Sequence, residues 1–438
     1  MPSFATIATA FVSSLTLASA AFSATSKNNV VYYWGQGPDQ ADLSTACSNP
    51  AVDIVVIGFI NVYPDQGNHS YPGSNFGNAC DGTTYTTVPG LFSGSSGEET
   101  ELLKKCDGIN PGIKVCQAAG KKVLLSLGGG YPHNGWLKSE TSANDFADFL
   151  WGAFGPQKST WVNSGKPRPF GDAIVDGFDF DIETYSFATT PTDSNGQTLT
   201  APESYGYDYM IARLRSHYAT VARTYYISGA PQCIISDVHL GPSIANSWYD
   251  FLFVQLYNTP ECSARASLTP GKSTFTLDKW EAVVAQNPNP NIRVFLGLPA
   301  STKASASADY YLTPSEVYTL TEPLYSSMEH FGGIMLWEAT YAARNTICGQ
   351  DYTGWMEKVL GACASNKALV TACPSSSSSS SIIRSTSSVQ SSTSSRISTT
   401  SSAQISSSSS AFSSSSSSKV SSSSSAVNSP VVTSSSSS

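Results

Sequence analysis

Charged side chains are scarce in this chain of 438 residues, and basic ones are scarcer than acidic ones. Asp, Glu, Lys and Arg make up 13% of the sequence, with 24 Lys and Arg against 32 Asp and Glu. Ordinary globular proteins have roughly 25% charged residues. A protein that binds nucleic acid or an anionic membrane surface needs a basic patch. The composition therefore argues against both classes of partner.

Long apolar runs and metal-binding cysteine patterns are missing as well. No stretch reaches the roughly 20 apolar residues that a membrane-spanning helix requires. The nine cysteines include no Cys-x-x-Cys pair and no paired Cys/His spacing, so the sequence predicts no zinc site. We expect a protein without a metal, a cofactor or a membrane span.

The first twenty residues have the character of a secretory leader. Residues 1–20 carry no charged side chain and end in Ala18-Ser19-Ala20, a small-x-small pattern typical of cleavage sites. We predict a signal peptide over residues 1–20 and a protein that is secreted, extracellular or associated with a cell wall. The nine cysteines would then form disulfides in an oxidising compartment, and the odd count leaves at least one over.

Residues 375–438 differ in composition from everything before them. Of these 64 residues, 39 are Ser and 5 are Thr, which is too little apolar surface to offset the entropy of ordering the chain. We predict a disordered tail, and Ser/Thr runs outside the cell favour O-glycosylation and an extended stalk. Asn68-His69-Ser70 is an N-glycosylation sequon in a Gly/Pro-rich loop.

Short apolar runs rich in Val, Ile, Phe and Tyr recur through the remaining sequence. Such runs fit strands that are buried on both faces, as in a parallel sheet covered by helices. The predicted strands cover residues 30–36, 53–61, 122–129, 174–183, 226–232, 251–258, 292–299 and 333–337. Helix-like segments lie between several of them, at residues 143–154, 205–221, 277–286 and 314–329. This alternation predicts a single (β/α)8 barrel, with a doubly wound open sheet as the alternative.

One predicted strand carries several acidic residues. It ends in DGFDFDIE, residues 176–183. With a strand period of two, Asp179, Asp181 and Glu183 share one face, which would point into a barrel. Burying three carboxylates costs on the order of several kcal/mol each unless they are paired or protonated. A functional role is therefore favoured over a purely structural one.

Neighbouring buried acids also have different pKa values, because the charge on one disfavours the charge on the next. We expect Asp179 and Asp181 to share a proton and Glu183, the outermost group, to have a raised pKa. A carboxylic acid of raised pKa beside a carboxylate is what cleavage of a glycosidic bond requires. Ligation of a divalent metal is an alternative, but the segment lacks the loop spacing of an EF-hand.

These residues carry a family resemblance. DGFDFDIE resembles the D-G-x-D-x-D-x-E signature of family 18 glycoside hydrolases, and KVLLSLGGG resembles their S-x-G-G strand. Five further segments resemble the plant and fungal class III chitinase branch in their order along the chain: YYWGQ, GFIN, APQC, VQLYN and GGIMLW. The resemblance spans residues 29–363 and implies a single (β/α)8 catalytic domain over residues 27–363. The tail makes the sequence resemble fungal enzymes more than plant ones.

The resemblance implies hydrolysis of β-1,4-linked N-acetylglucosamine with retention of configuration. Glu183 would protonate the leaving oxygen and then act as a base toward water. The substrate's own acetamido oxygen would attack the anomeric carbon and give an oxazolinium ion. Asp181 would orient the acetamido group, Asp179 would share the proton of Asp181, and Tyr257 would donate its hydroxyl to the acetamido carbonyl.

The same resemblance implies residues that bind the substrate. Trp337, at the end of the last predicted strand, would be the floor on which a sugar stacks, and Asp176 would have a structural role. Other candidates for the walls and hydrogen bonds of the cleft are Gln36, Phe59, Asn61, Gly128, Gly129, Gln232, Gln255 and Asn258.

Three disulfides are also implied by the resemblance. They join Cys47 with Cys116, Cys80 with Cys106, and Cys233 with Cys262. The pairing among Cys348, Cys363 and Cys373 falls outside this pattern and stays open, with Cys348–Cys363 as a first guess.

Three functions are compatible with the sequence. The first is a secreted endochitinase that acts in wall remodelling or chitin degradation. The second is an endo-β-N-acetylglucosaminidase acting on N-glycans, which shares the acidic signature. The third is an inactive chitin-binding wall protein, although such family members usually lose the terminal Glu or an Asp, and both are present here. We expect a monomer that binds chitin or chitooligosaccharides.

Overall fold

Eight parallel strands close into a barrel in the computed structural model, which describes residues 22–92, 94, 96–131, 135–183, 196–198, 204–269 and 275–373. In chain order, β1 to β8 cover Asn29–Trp34, Ile54–Ile60, Lys122–Gly128, Gly177–Asp181, Tyr226–Gly229, Phe251–Gln255, Arg293–Pro299 and Phe331–Trp337. Each strand pairs in parallel with the next, and β8 pairs with β1. The predicted (β/α)8 fold is confirmed. The predicted leader and tail lie outside the described residues.

Apolar side chains cover both faces of these strands. Successive side chains of a strand point to opposite faces, so one set fills the barrel and the other packs against the surrounding helices. The set inside the barrel contains Val31, Tyr33, Ile54, Val56, Phe59, Leu124, Ala230, Phe251, Phe253, Phe295 and Met335. This double burial explains why the strands read as near-continuous apolar runs rather than as alternating ones.

Helices follow most of the strands and cover the outside of the barrel. They are Leu43–Cys47, Ile109–Ala118, Glu140–Phe154, Ser159–Asn163, Tyr207–Tyr218, Gly241–Asn246, Ala264–Ser267, Trp280–Val284, Pro314–Ser327, Ala339–Arg344 and Tyr352–Ala364, with single 3-10 turns at Asn68–Ser70, Gly77–Ala79, Leu277–Lys279 and Ala308–Tyr310. Within the described part of the chain, no helix has the length and apolar character to cross a bilayer.

The helix Ile109–Ala118 is one that the sequence does not predict. Its first turn contains Pro111 and Gly112, which favour a turn on local grounds, although proline is tolerated in the first turn of a helix. Gly112 packs against Leu43, whose side chain a Cβ at this position would overlap. Tertiary packing of the two helices therefore decides the structure here.

A long excursion separates β2 from this helix. It contains an antiparallel pair of short strands, Thr84–Thr86 and Glu99–Leu103, and the Cys80–Cys106 disulfide closes it. The structure also contains the other two disulfides that the resemblance implies, Cys47–Cys116 and Cys233–Cys262.

The guess that Cys348 pairs with Cys363 is wrong. Cys348 lies in the turn between two short strands and is bonded to Cys373, with the Cα atoms 5.0 Å apart. Cys363 is free, because it lies on the buried face of the helix Tyr352–Ala364 and not toward that turn. Burial raises the pKa of the Cys363 thiol to about 11.

Three aspartates join neighbouring strands at the end of the barrel where the strands begin. Each directly precedes an even-numbered strand and accepts a hydrogen bond from a main-chain N–H of the strand before it. The pairs are Asp53 with Val30 (2.8 Å), Asp176 with Val123 (2.9 Å) and Asp250 with Ile227 (2.7 Å). Asp176 also accepts hydrogen bonds from Gln117 and Arg223, which supports the structural role predicted for it.

Candidate active site

The acidic residues lie at the end of β4, near the opposite rim of the barrel. Asp179 and Asp181 alternate with Phe178 and Phe180, which pack outward among the residues between barrel and helices. Glu183 lies two residues beyond the end of the strand and not within it, so the predicted strand is too long at this end. The three carboxylates nevertheless occupy alternate positions, as the strand period requires.

Asp179 is completely buried and surrounded by hydroxyl groups. Its Oδ2 accepts hydrogen bonds from Ser126 (2.6 Å) and Tyr33 (2.8 Å), and its Oδ1 accepts one from Ser228 (2.6 Å). Burial raises the pKa of Asp179, and these hydrogen bonds oppose the rise because they stabilise the charged form. The hydroxyl groups therefore fix the orientation of the Asp179 carboxyl below Asp181 and oppose the rise in its pKa.

Asp181 and Glu183 form a hydrogen-bonded pair. Burial raises the pKa of Asp181 well above its ordinary value, and the neighbouring charges of Glu183 and Asp179 raise it further. Burial also raises the pKa of Glu183, while hydrogen bonds from Gln255 and Asp181 lower it. The predicted rise at Glu183 is thus present, and the hydrogen bond between the two carboxyls requires that the pair holds a proton.

Gln255 connects the two members of this pair. Its Nε2 donates to Asp181 Oδ1 at 2.9 Å, to Glu183 Oε1 at 3.4 Å and to the carbonyl oxygen of Ala230 at 3.1 Å. An amide that donates to both carboxyls favours their charged forms and fixes their separation. The structure therefore brings this predicted binding residue into the acidic cluster itself.

Tyr257 lies next to the acidic pair, and its side chain is 5% exposed. Burial raises the pKa of its hydroxyl well above the ordinary value, and the charges of Glu183 and Asp181 add to the effect. The hydroxyl therefore keeps its proton and can donate it in a hydrogen bond.

Three aromatic rings meet beside the acids. Trp337, at the end of β8, is half-buried and lies 6.1 Å from Phe59 in a stacked arrangement and 5.6 Å from Tyr33, measured between ring centres. Phe59 and Tyr33 are buried, so Trp337 is the ring of the three that offers an apolar surface to a sugar face.

Gly128 and Gly129 bring the main chain close to the acidic strand. Both have left-handed backbone angles, with φ of 100° and 82°, a region that favours glycine. A Cβ at Gly128 would overlap the carbonyl oxygen of Asp181, and one at Gly129 would lie 2.9 Å from the ring of Phe59. The N–H of Gly129 donates to the same carbonyl at 2.6 Å, so these glycines position the strand end.

The remaining predicted residues bond mainly to the surrounding loops. The amide of Gln36 donates to two main-chain carbonyls, at 3.0 and 2.9 Å. The amide of Asn61 donates to Tyr131 at 3.4 Å, and the side-chain oxygen of Asn258 accepts from the N–H of Ala306 at 2.8 Å. Of this group, Gln232 is the one that reaches the acids, since its Nε2 donates to the carbonyl oxygen of Glu183 at 3.4 Å.

The segment after β3 connects the acidic cluster to a nearby cavity. The main chain at Gly130 passes Glu183 so closely that a Cβ there would lie 3.2 Å from Glu183 Oε2. Beyond it, a cavity of about 460 Å³ is lined by residues that include Asn61, Asn75, Glu101 and Tyr131. A second cavity, of about 580 Å³, lies away from the acids, between β1 and the helix Ala339–Arg344.

Comparison with known proteins decides the family. Residues 28–322 match the model of the glycosyl hydrolases family 18. The chain belongs to this family. It is 47% identical over 383 residues to "Endochitinase A" of Aspergillus niger, covering 87% of this chain and 28% of that protein. It is 45% identical over 359 residues to "Endochitinase A1" of Aspergillus fumigatus, covering 82% of this chain and 40% of that protein.

Solved structures of similar fold carry names of different kinds. A chitinase from Ipomoea carnea is 26% identical with a TM-score of 0.58, covering 76% of this chain and 99% of that one. A xylanase and α-amylase inhibitor protein, solved with trehalose, is 29% identical with a TM-score of 0.54, covering 77% of this chain and 99% of that one. The family 18 barrel by itself therefore does not specify one activity.

Sequence reasoning missed the three hydroxyl groups around Asp179. Ser126 and Ser228 are the residues in register with Asp179 on the two neighbouring strands, and Tyr33 reaches it from β1. The signal was a lone polar residue in each of two apolar strands, LLSLG and YISGA. It could have been used only with a strand register, which the sequence alone does not supply.

Across the described ranges, no group of three or more His, Cys, Asp and Glu side chains is arranged to hold a metal ion. The acidic cluster instead finds its partners in hydroxyl and amide donors.

Proposed function

We propose that this family 18 chain is an endochitinase that cleaves β-1,4-linked N-acetylglucosamine polymers with retention of configuration. The observation that carries the proposal is the acidic cluster, in which Asp179, held by three hydroxyl groups, lies below a hydrogen-bonded pair of Asp181 and Glu183. The chitinase names of the similar fungal proteins support the choice of substrate.

Glu183 is the proposed general acid. Its raised pKa keeps it protonated at a higher pH than an ordinary glutamic acid, as an acid that protonates a glycosidic oxygen needs to be. Glu183 is half-buried, so a bound substrate can reach its carboxyl group. After the leaving group departs, the same carboxylate accepts a proton from the incoming water.

The acetamido group of the substrate is the proposed nucleophile. When Glu183 gives the proton of the pair to the leaving glycosidic oxygen, Asp181 is left as a carboxylate. It then accepts a hydrogen bond from the acetamido N–H and stabilises the positive charge that develops there. The Tyr257 hydroxyl keeps its proton and donates a hydrogen bond to the acetamido carbonyl oxygen. No covalent bond to the protein is required in this mechanism.

A cavity near the acids favours a substrate larger than a single sugar. The cavity next to Gly130 is lined in part by the amides of Asn61 and Asn75 and by the hydroxyl groups of Ser74 and Tyr131, which suit the hydroxyl-rich edges of a chain of sugars. Trp337 supplies the apolar surface for a sugar face, and the buried rings of Phe59 and Tyr33 pack behind it. Endo-acting cleavage is proposed from the similarity to the fungal endochitinases.

We further propose that the protein works outside the cell or in the cell wall. Four disulfides within the described residues are typical of an oxidising compartment. A leader over residues 1–20, a catalytic domain over residues 27–363, a Ser/Thr-rich stalk over residues 375–438 and a monomeric state remain predictions.

The test is hydrolysis of chitopentaose and of an N-glycopeptide by the wild type, by Glu183→Gln and by the control Glu357→Gln. Glu357 lies exposed on the outer helix Tyr352–Ala364. We expect cleavage of chitopentaose by the wild type and the control, and about a 10³-fold lower kcat in Glu183→Gln. Equal activity of wild type and Glu183→Gln would reject the proposed acid. Cleavage of the glycopeptide alone would favour a glucosaminidase acting on N-glycans, and no activity in any variant would favour a binding protein.

A further inference from the structure

The loop that follows β5 contains a buried acid with no role in the mechanism above. Asp237 is 3% exposed. Its Oδ2 accepts a hydrogen bond from the N–H of Gln232 at 2.9 Å, and its Oδ1 accepts from the N–H groups of His239 and Leu240, at 2.9 and 2.6 Å. One carboxylate therefore closes the loop by holding both of its ends.

The held end of this loop touches the catalytic groups. Gln232 pairs with Gln255 as a parallel bridge, and the N–H of Gln255 donates to the carbonyl of Pro231 at 2.9 Å. The side chain of Gln232 reaches the carbonyl of Glu183, and Gln255 donates to both Asp181 and Glu183. The place of Gln232 therefore affects the alignment of both members of the acidic pair.

We propose that Asp237 is a positioning residue for the general acid: it holds Gln232 so that Gln255 and the main chain of Glu183 keep the Asp181–Glu183 pair aligned. Asp237 itself does not touch the substrate. The inference rests on the proposed hydrolytic function.

The charge of Asp237 adds a readout that loop packing alone would not give. The titratable groups that face the acidic pair are Asp179 from below, Tyr257 from the end of β6, and Asp237 and His239 from this loop. The negative charge of Asp237 helps raise the pKa of Asp181, whereas His239 lowers that of Glu183. Asp181 and Glu183 titrate together because they share a hydrogen bond. Removing the charge of Asp237 should therefore move the basic limb of the pH–rate profile, which the pair determines, to lower pH.

Asp237→Asn is the selective variant. The single carbonyl oxygen of asparagine can still accept from His239 and Leu240, but its amide group then faces the N–H of Gln232 and that link is lost. On chitopentaose we expect kcat to fall about tenfold with KM changed less than about twofold, and the basic limb of kcat/KM to move to lower pH. Wild-type kcat with an unmoved limb in a folded variant would overturn the proposal.

Asp53→Asn is the matched control. It makes the same chemical change in a carboxylate that also accepts a main-chain N–H, at the other end of the barrel. We expect wild-type kcat and a wild-type pH profile from it. If Asp53→Asn lowers kcat and moves the limb as Asp237→Asn does, the effect is not specific to the loop and the proposal fails.

Gln232→Met tests the positioning role of this loop if Asp237→Asn does not fold. It removes the side-chain donor to Glu183 but leaves the N–H that binds Asp237, so the loop stays closed. We expect kcat to fall several-fold while the basic limb stays in place, because the charge of Asp237 remains. Wild-type kcat in Gln232→Met would overturn the proposal. An inactive wild type would instead reject the proposed function, so the two failures are distinguishable.

Discussion

Aspartates lie at both ends of this barrel, and their partners differ. Where the strands begin, Asp53, Asp176 and Asp250 each accept a main-chain N–H from a neighbouring strand. Where the strands end, Asp181 binds Glu183 and the side-chain amide of Gln255. The first group is bonded to the fold, and the second is bonded to other functional groups.

The difference in partners implies a difference in how the two groups of acids affect the stability of the fold. A carboxylate that accepts main-chain N–H groups has partners that do not titrate, so it joins the strands even though burial raises the pKa of Asp53 and Asp250. Acids that face one another compete for charge, so one must hold a proton and the pair destabilises the fold at neutral pH. Removing a carboxylate should therefore lower activity at one end of the barrel and stability at the other.

Asp181→Asn should have the largest effect on activity. Asparagine keeps the shape but cannot transfer or share the proton, so we expect kcat on chitopentaose to fall by about 10² to 10³. The free energy of unfolding at pH 7 should be unchanged or higher, because the repulsion with Asp179 and Glu183 is removed. Steady-state kinetics and guanidinium unfolding measure the two quantities. A large loss of stability with unchanged kcat would place Asp181 in the structural group.

Tyr257→Phe should have the next largest effect. The change removes one hydroxyl donor and keeps the ring, so we expect about a 10²-fold lower kcat, as for loss of one preorganised donor. The same kinetic assay checks this, and circular dichroism should match the wild type. A wild-type rate would mean that the hydroxyl does not reach the acetamido carbonyl.

Asp176→Asn tests the opposite end of the barrel. An asparagine amide cannot accept from Val123, Gln117 and Arg223 together, so we expect the free energy of unfolding to fall by about 2 kcal/mol. The rate on chitopentaose should stay within about twofold of the wild type. Guanidinium unfolding measures the first quantity. A tenfold loss of kcat at wild-type stability would contradict the division between the two ends.

Asp53→Asn should have the smallest effect, visible only as a change with pH. Burial raises the pKa of Asp53 from 3.8 to about 6. The folded state therefore binds this proton more tightly than the unfolded state, and the free energy of unfolding falls as pH rises from about 4 to 6. In the variant, the difference in stability between pH 4 and pH 7 should be smaller by about 2 kcal/mol. An equal difference in both proteins would show that Asp53 does not titrate there.

The barrel could be predicted from the sequence because strands that are buried on both faces appear as near-continuous apolar runs. All eight predicted strands are present, with ends displaced by a few residues, as at Glu183. The acids of β4 could be found because alternating carboxylates in an apolar strand are conspicuous without any structure. Helices were harder to predict where packing decides, as Gly112 against Leu43 shows.

What the sequence could not provide are contacts between strands that are distant in the chain. The hydroxyls of Tyr33, Ser126 and Ser228 surround Asp179 only once the register is known. The pairing of Cys348 with Cys373 likewise depends on where the chain runs after the last helix. Local patterns predict elements, whereas sites assembled from several strands require their relative placement.

In the proposed mechanism, the acidic cluster supports attack by the substrate's acetamido group. Proton NMR of chitopentaose hydrolysis, recorded before mutarotation, measures the configuration of the new reducing end. Attack from within the substrate followed by water gives two inversions, so the β-anomer should form first. Initial formation of the α-anomer would contradict the mechanism.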